Sequence, residues 1–199
     1  DEVAQRRAAK LGADMLNLNG DALRRDVVDP NLAGLVAMAF GMTATAEQFD
    51  ALRARLKTER DDAVRGHLLA ALSSPRDESL GERAMGLVLD PDLRVQELTI
   101  PLRIRMGYAD TRPAAWEWLK THLDAVLPRM APRRAAWLPD LTTGFCAEEE
   151  AAEVQATFGP VASKVPGGPR ELAKALESIR LCAAARAEQL PGLKRYLGG

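Results

Sequence analysis

The sequence predicts an all-α protein, an array of antiparallel helix pairs of the kind found in helical solenoids. Three observations carry this. Apolar residues recur at helical spacing along nearly the whole chain. The stripes they form are bounded by capping residues in front and by proline or glycine behind. The segment Thr111–Leu127, TRPAAWEWLKTHLDAVL, holds two of the three tryptophans of a chain that is 5% aromatic. Its residues Trp116, Leu119, Leu123 and Val126 form one apolar side, and Ala115, Trp118 and Ala125 another. A helix with two apolar sides packs against neighbours on both.

Glu2–Leu18 reads as the first helix, with Ala4, Ala8, Leu11, Met15 and Leu18 as its buried face and Asn19-Gly20 as its stop. Asp29-Pro30 supplies a cap and a first-turn proline for Asn31–Phe40, which is apolar nearly all round and is expected to be deeply buried. Thr45 and Gln48 have the spacing of a capping box ahead of Phe49, Leu52 and Leu56. Asp61 or Asp62 opens a helix through Leu72, with Val64, Leu68 and Leu72 on one side, and Ser73-Ser74-Pro75 ends it. Asp77–Leu89 follows, closed by Asp90-Pro91.

Leu98, Ile100, Leu102, Ile104 and Met106 alternate like a strand, yet Val95, Leu98, Leu102 and Met106 also fit a helix. Pro101 argues against a central strand, and every neighbour is helical, so a helix kinked by Pro101 is expected. After Thr111–Leu127, in which Pro113 sits in the first turn and Pro128 is the stop, come a short helix over Met130–Trp137 and one over Glu148–Phe158. Three acids open the latter, where the helix dipole favours them. A loop over Val165–Pro169 precedes Arg170–Gln189, whose line is Leu172, Ala175, Ile179, Cys182 and Arg186. A last helix, Leu193–Leu197, finishes the chain. Helix pairs recur near the ~40-residue spacing of solenoid repeats.

Lys plus Arg number 27 and Asp plus Glu 28, a formal net charge of −1. No global field attracts nucleic acid or an anionic membrane. No apolar run approaches the roughly 20 residues needed to span a bilayer. The opening DEVAQRRAAK is polar, with no signal peptide and no initiator methionine, as in an excised piece or a processed chain. The reading is a soluble protein, with the compartment (cytoplasmic or periplasmic) left open. Cys146 and Cys182 form no C-x-x-C pair and no disulfide framework, and Cys182, on an apolar stripe, is expected to be a small buried hydrophobe.

The chain holds two histidines, His67 and His122, on different helices, and His67 is followed by Leu-Leu rather than Glu. Zinc hydrolysis on a helix needs two histidines four apart with a glutamate beside the first. There is no G-x-S-x-G elbow, no G-x-G-x-x-G and no phosphate loop. No catalytic or metal-ligating residue is therefore assigned, and no cofactor is expected in residues 1–199.

Three stretches, in one order, carry a resemblance. His67–Leu72 with Asp92–Pro101, HLLAAL then DLRVQELTIP, resembles the segment of aminopeptidase-N-like zinc aminopeptidases in which a leucine-rich helix precedes V-R-x-Q-D. Arg112, Ala115, Trp116, Trp118, Leu119, Lys120 and Asp124 match their R-x-x-A-W-x-W-L-K-x-x-x-D segment. Arg170–Arg180 is similar to their late R-x-L-x-x-A-L-E-x-I-R helix. Glu97 stands where the family often has Asp, which keeps the acid and changes its reach.

The resemblance implies a single domain over residues 1–199, the C-terminal, non-catalytic domain of a larger aminopeptidase, as in the endoplasmic-reticulum aminopeptidases. Its implied fold is an α-α superhelix of HEAT- or armadillo-like repeats. It implies a zinc site upstream in the parent, and a role in arching over that site to close a chamber that admits peptides. The implied partners are the upstream catalytic domain of the same polypeptide and peptide substrates. On this reading Arg94, Gln96 and Glu97 lie at a helix end facing the chamber. The plainer alternative for them is a local network tying helix ends together. Two other classes stay open for the chain: a free-standing helical-repeat scaffold that binds a partner protein on its concave face, and a small helical enzyme whose site is assembled from distant residues.

Overall fold

The computed structural model describes residues 1–20 and 22–198, and among these there are ten α-helices, four 3-10 segments and no strand. The helices are α1 (Glu2–Leu16), α2 (Ala33–Gly41), α3 (Ala46–Thr58), α4 (Asp62–Leu72), α5 (Glu78–Gly86), α6 (Thr99–Gly107), α7 (Arg112–Val126), α8 (Pro132–Ala135), α9 (Glu148–Ala162) and α10 (Gly168–Tyr196). They fall into two compact units, Asp1–Trp118 and Leu119–Gly199.

In the first unit the caps act as the sequence demands. Asp1 accepts the Val3 N–H at 2.9 Å, Asp61 accepts those of Ala63 and Val64, and Asp77 accepts that of Leu80. Thr45 and Gln48 close a reciprocal capping box at 2.9 and 3.3 Å. The stripes of α3 and α4 are buried at the residues expected, Phe49, Leu52, Leu56, Val64, Leu68 and Leu72. The alternating stretch 98–106 is helical. Leu98, Leu102 and Met106 are buried at four-residue spacing, while Ile100 and Ile104 are only half-buried. Pro101 lies in the first turn of α6, where it displaces no helix hydrogen bond.

The first two helices depart from the expectation. α1 stops at Asn17, in the left-handed region at φ 45°, two residues before Asn19-Gly20. Its buried residues are Gly12, Met15 and Leu16, and Ala4 and Leu11 face outward. The missed signal is glycine. A Cβ on Gly12 would sit 2.1 Å from the Val36 carbonyl oxygen and 2.8 Å from Phe40 Cβ, so the backbones of α1 and α2 touch there. A Cβ on Gly41 would sit 2.1 Å from the Ala71 oxygen, a second close approach, of α2 to α4. The segment expected to be buried all round is not: Leu32, the N-cap of α2, is 48% exposed and Leu35 within it 59%.

In the second unit α9 runs four residues past Phe158 and carries Pro160 inside it. α10 is one helix through Pro191, where a break was expected before Leu193. Its buried residues are Leu172, Ala175, Leu176 and Ile179, together with Gly168. Cys182 is not a buried hydrophobe: it is exposed and disulfide-bonded to Cys146, 36 residues away. Closing a loop of that length stabilises a fold by roughly 3–5 kcal/mol through the unfolded chain.

Long-range ion pairs recur within a narrow range of sequence separation. Arg25–Asp61, Arg53–Asp90, Arg65–Glu97, Arg83–Asp50, Arg94–Asp62 and, in the second unit, Lys120–Glu153 join residues 36, 37, 32, 33, 32 and 33 apart.

The close approaches give a direct test. Gly12→Ala and Gly41→Ala should each lower stability by about 1–3 kcal/mol, because the added methyl meets backbone that cannot yield. Gly66→Ala, in the middle of α4 with nothing within 4 Å of the new methyl, should raise it by about 0.5–1 kcal/mol. Urea unfolding of the three variants reads both signs.

Candidate functional site: the turn Asp90–Glu97

The turn begins where the 3-10 segment Leu87–Leu89 ends. Asp90 accepts the Asp92 N–H at 2.9 Å and Arg53 Nη2 at 2.7 Å. Burial pushes the Asp90 pKa up, but these hydrogen bonds and the Arg53 and Lys57 charges outweigh it and hold the carboxyl below its ordinary value. A concavity of about 460 Å³ runs alongside, lined by Arg53, Lys57, Arg83, Leu87, Asp90 and Asp92. Each of its cations already faces a carboxylate: Arg53 with Asp90, Lys57 with Asp92 at 3.6 Å, Arg83 with Asp50.

Glu97 lies at the far end of the turn and is buried, at 6% exposure. Its partner is Arg65 of α4, at 3%. Arg65 Nε donates to one carboxylate oxygen at 2.6 Å and Nη2 to the other at 2.7 Å. The same guanidinium donates from Nη1 to the Leu56 and Glu59 carbonyls at 2.6 and 3.2 Å, and from Nη2 to the Asp92 carbonyl at 3.2 Å. The Arg94 N–H closes the circuit on Glu97 at 2.9 Å. One planar fork therefore joins the end of α3, the body of α4 and the turn leading to α6. Burial alone would raise the Glu97 pKa. The Arg65 hydrogen bonds, the Arg94 N–H and both arginine charges overcome it and set the carboxyl below its ordinary value of 4.5. The Glu97 hydrogen bond, in turn, raises the Arg65 pKa.

Of the three residues singled out from the sequence, Glu97 is thus turned inward and engaged. Arg94 is half-buried and pairs with Asp62. Gln96 is exposed beside Val95, which is 47% exposed. Sequence reasoning missed Arg65. The available signal was its place in line with Leu68 and Leu72 on an apolar stripe, where an arginine demands a buried carboxylate. Among the described residues no group of three His, Cys, Asp or Glu side chains lies together so as to hold a metal ion.

Removing one member of a buried, hydrogen-bonded pair strands the other. Glu97→Ala and Arg65→Met should each cost about 3–5 kcal/mol, whereas the double variant Arg65→Met/Glu97→Leu should recover much of that. Chemical unfolding of the three reads the coupling. The sign with pH follows from the lowered Glu97 pKa: the pair's contribution is fully present above about pH 4.5 and is lost as pH falls through the folded-state value. Glu97→Gln should accordingly flatten the acid limb of a stability–pH curve.

A sequence model of the ERAP1-like C-terminal domain matches residues 1–181. Probable aminopeptidase 2 of Sulfurisphaera tokodaii is 31% identical over 99 residues, 50% of this chain and 13% of its own length. Aminopeptidase M1-B of Oryza sativa subsp. japonica is 27% identical over 152 residues, 75% of this chain and 17% of its own. Aminopeptidase 2, mitochondrial, of Saccharomyces cerevisiae is 24% identical over 185 residues, 90% of this chain and 18% of its own. The chain therefore spans less than a fifth of the length of each of these relatives. The family pattern covers all but the outer part of α10, and the chain belongs to the ERAP1-like C-terminal domain family.

Proposed function

We propose that residues 1–199 are the non-catalytic C-terminal domain of a zinc-dependent aminopeptidase, and that they wall a chamber over the upstream catalytic site and restrict which peptides reach it. The observation that carries this is the family match across residues 1–181, together with relatives named as aminopeptidases of which the chain spans only 13–18%. The parent removes N-terminal residues from peptides. Its zinc would lie upstream of residues 1–199; among the described residues no group of three His, Cys, Asp or Glu side chains is placed to hold the ion.

Within this reading the domain works through surfaces. The exposed edge of α2, Leu32 and Leu35, with Val3 of α1, supports a docking surface for the upstream part of the same polypeptide. Arg94 and Gln96 are the polar groups of the turn that can meet a peptide, and Glu97 holds the turn in place from inside.

Two measurements test this. In the whole parent, Gln96→Ala should raise KM for long peptides about threefold, the size of one exposed polar contact of roughly 0.7 kcal/mol, and leave turnover of a short aminoacyl substrate and the Tm unchanged. An effect confined to Tm would remove Gln96 from the chamber wall. Mixed with the separately expressed upstream part, the chain should form a one-to-one complex of about micromolar affinity, which Leu35→Asp abolishes. A monomer that captures nothing at well above that concentration would favour a free-standing scaffold.

A further inference from the structure

The fully buried residues of α10 end at Ile179, although the helix continues to Tyr196. Beyond that point Leu181 is 64%, Leu193 52% and Tyr196 86% exposed. Among the described residues the ties of this half to the rest of its unit are few: Ala183 and Leu190 are half-buried and line a shallow concavity with Cys146 and Ala147. Arg180 faces Glu148 across 3.6 Å with both side chains more than half exposed, which contributes little. Cys182 is bonded to Cys146, at the foot of α9. Pro191 further weakens the half-helix by removing the N–H that would reach the Ala187 carbonyl. A free helix of this length is marginal in water, even one rich in alanine such as 183–187.

We propose that the Cys146–Cys182 bridge is a redox-sensitive clamp that keeps the outer half of α10 helical and docked, and that a dithiol reductant releases it. Cys182 is exposed, so a reductant thiolate can reach its sulfur. Attack there forms a mixed disulfide and expels the Cys146 thiolate, which takes up a proton. The reductant's second thiolate then displaces Cys182 as a thiol, and the reductant leaves as its own disulfide. Two electrons and two protons pass from the dithiol to the two cysteines. The loop before α9 stays in place, because Glu150 still accepts the Cys146 N–H at 2.6 Å. The released element is the outer half of α10.

Amide hydrogen exchange on the full chain, with and without dithiothreitol, tests the clamp. Amides 183–196 should exchange about tenfold faster or more after reduction, with those of 172–179 changing less than about twofold. The double substitution Cys146→Ser/Cys182→Ser should reproduce the reduced pattern without reductant. Equal acceleration over both stretches would make the bridge a global staple and overturn the proposal. So would protection of 183–196 that reduction leaves untouched, or fast exchange there while the bridge is intact.

Discussion

The first unit depends on a single guanidinium. Arg65 is in α4, yet its five N–H donors serve the end of α3, the turn after α5 and the carboxylate of Glu97. Taking such a pair out of water is expensive, and only complete hydrogen bonding makes it tolerable. Completeness is what sets the surroundings. The Leu56 and Glu59 carbonyls, the Asp92 carbonyl and the Arg94 N–H must all stand where they do, so the connections between three helices cannot vary independently. The exposed residues Val95 and Gln96 owe their position to this buried fork.

This division explains what was legible in the sequence. Caps and stripes are local, and most read correctly: Thr45 with Gln48, Asp61, Asp77, the buried lines of α3 and α4, and Trp116, Leu119, Leu123 and Val126 of α7; of the second apolar side expected for α7 only Ala115 is buried, with Trp118 half-buried and Ala125 exposed. The alternation at 98–106 read as ambiguous because leucine and isoleucine at every second position satisfy both periods; burial of Arg105 beside Met106 is what a helix, not a strand, produces. Partner choice is not local. Nothing near Arg65 says that its carboxylate lies 32 residues on, and nothing near Cys182 says that its sulfur mate lies 36 residues back. The close approach at Gly12 was likewise invisible, since a glycine inside an alanine-rich helix looks like a defect until the facing carbonyl is seen.

The non-local partners nevertheless share a step. Ion pairs and the disulfide join residues 32 to 37 apart, in both units. A shared spacing of this kind ties each helix to ones about two elements on in the chain, so charges carry part of the non-local order that the apolar stripes alone leave open.

Arginine recurs in a second role. The chain has 21 arginines and 6 lysines. Among the described residues three of them donate to carbonyls at the C-terminal ends of helices, Arg55 to Leu16 at 2.8 Å, Arg65 to Leu56 at 2.6 Å and Arg112 to Met106 at 2.8 Å, and Arg105 donates to Pro75, in the loop after α4, at 2.8 Å. Helix-end carbonyls are the groups that a helix leaves unpaired, and they carry its negative dipole. A planar fork on a long stem can reach one from a neighbouring helix and present its donors in a fixed plane, which a freely rotating ammonium does not. Arg105 shows how far the device extends. It is 5% exposed and has no carboxylate partner, so burial and the nearby Arg76 depress its pKa, and the Pro75 carbonyl is its anchor. Short helices joined by tight turns multiply ends, and multiplied ends call for such donors. For these arginines the side chain answers to the architecture, and their guanidinium groups are already engaged by backbone carbonyls.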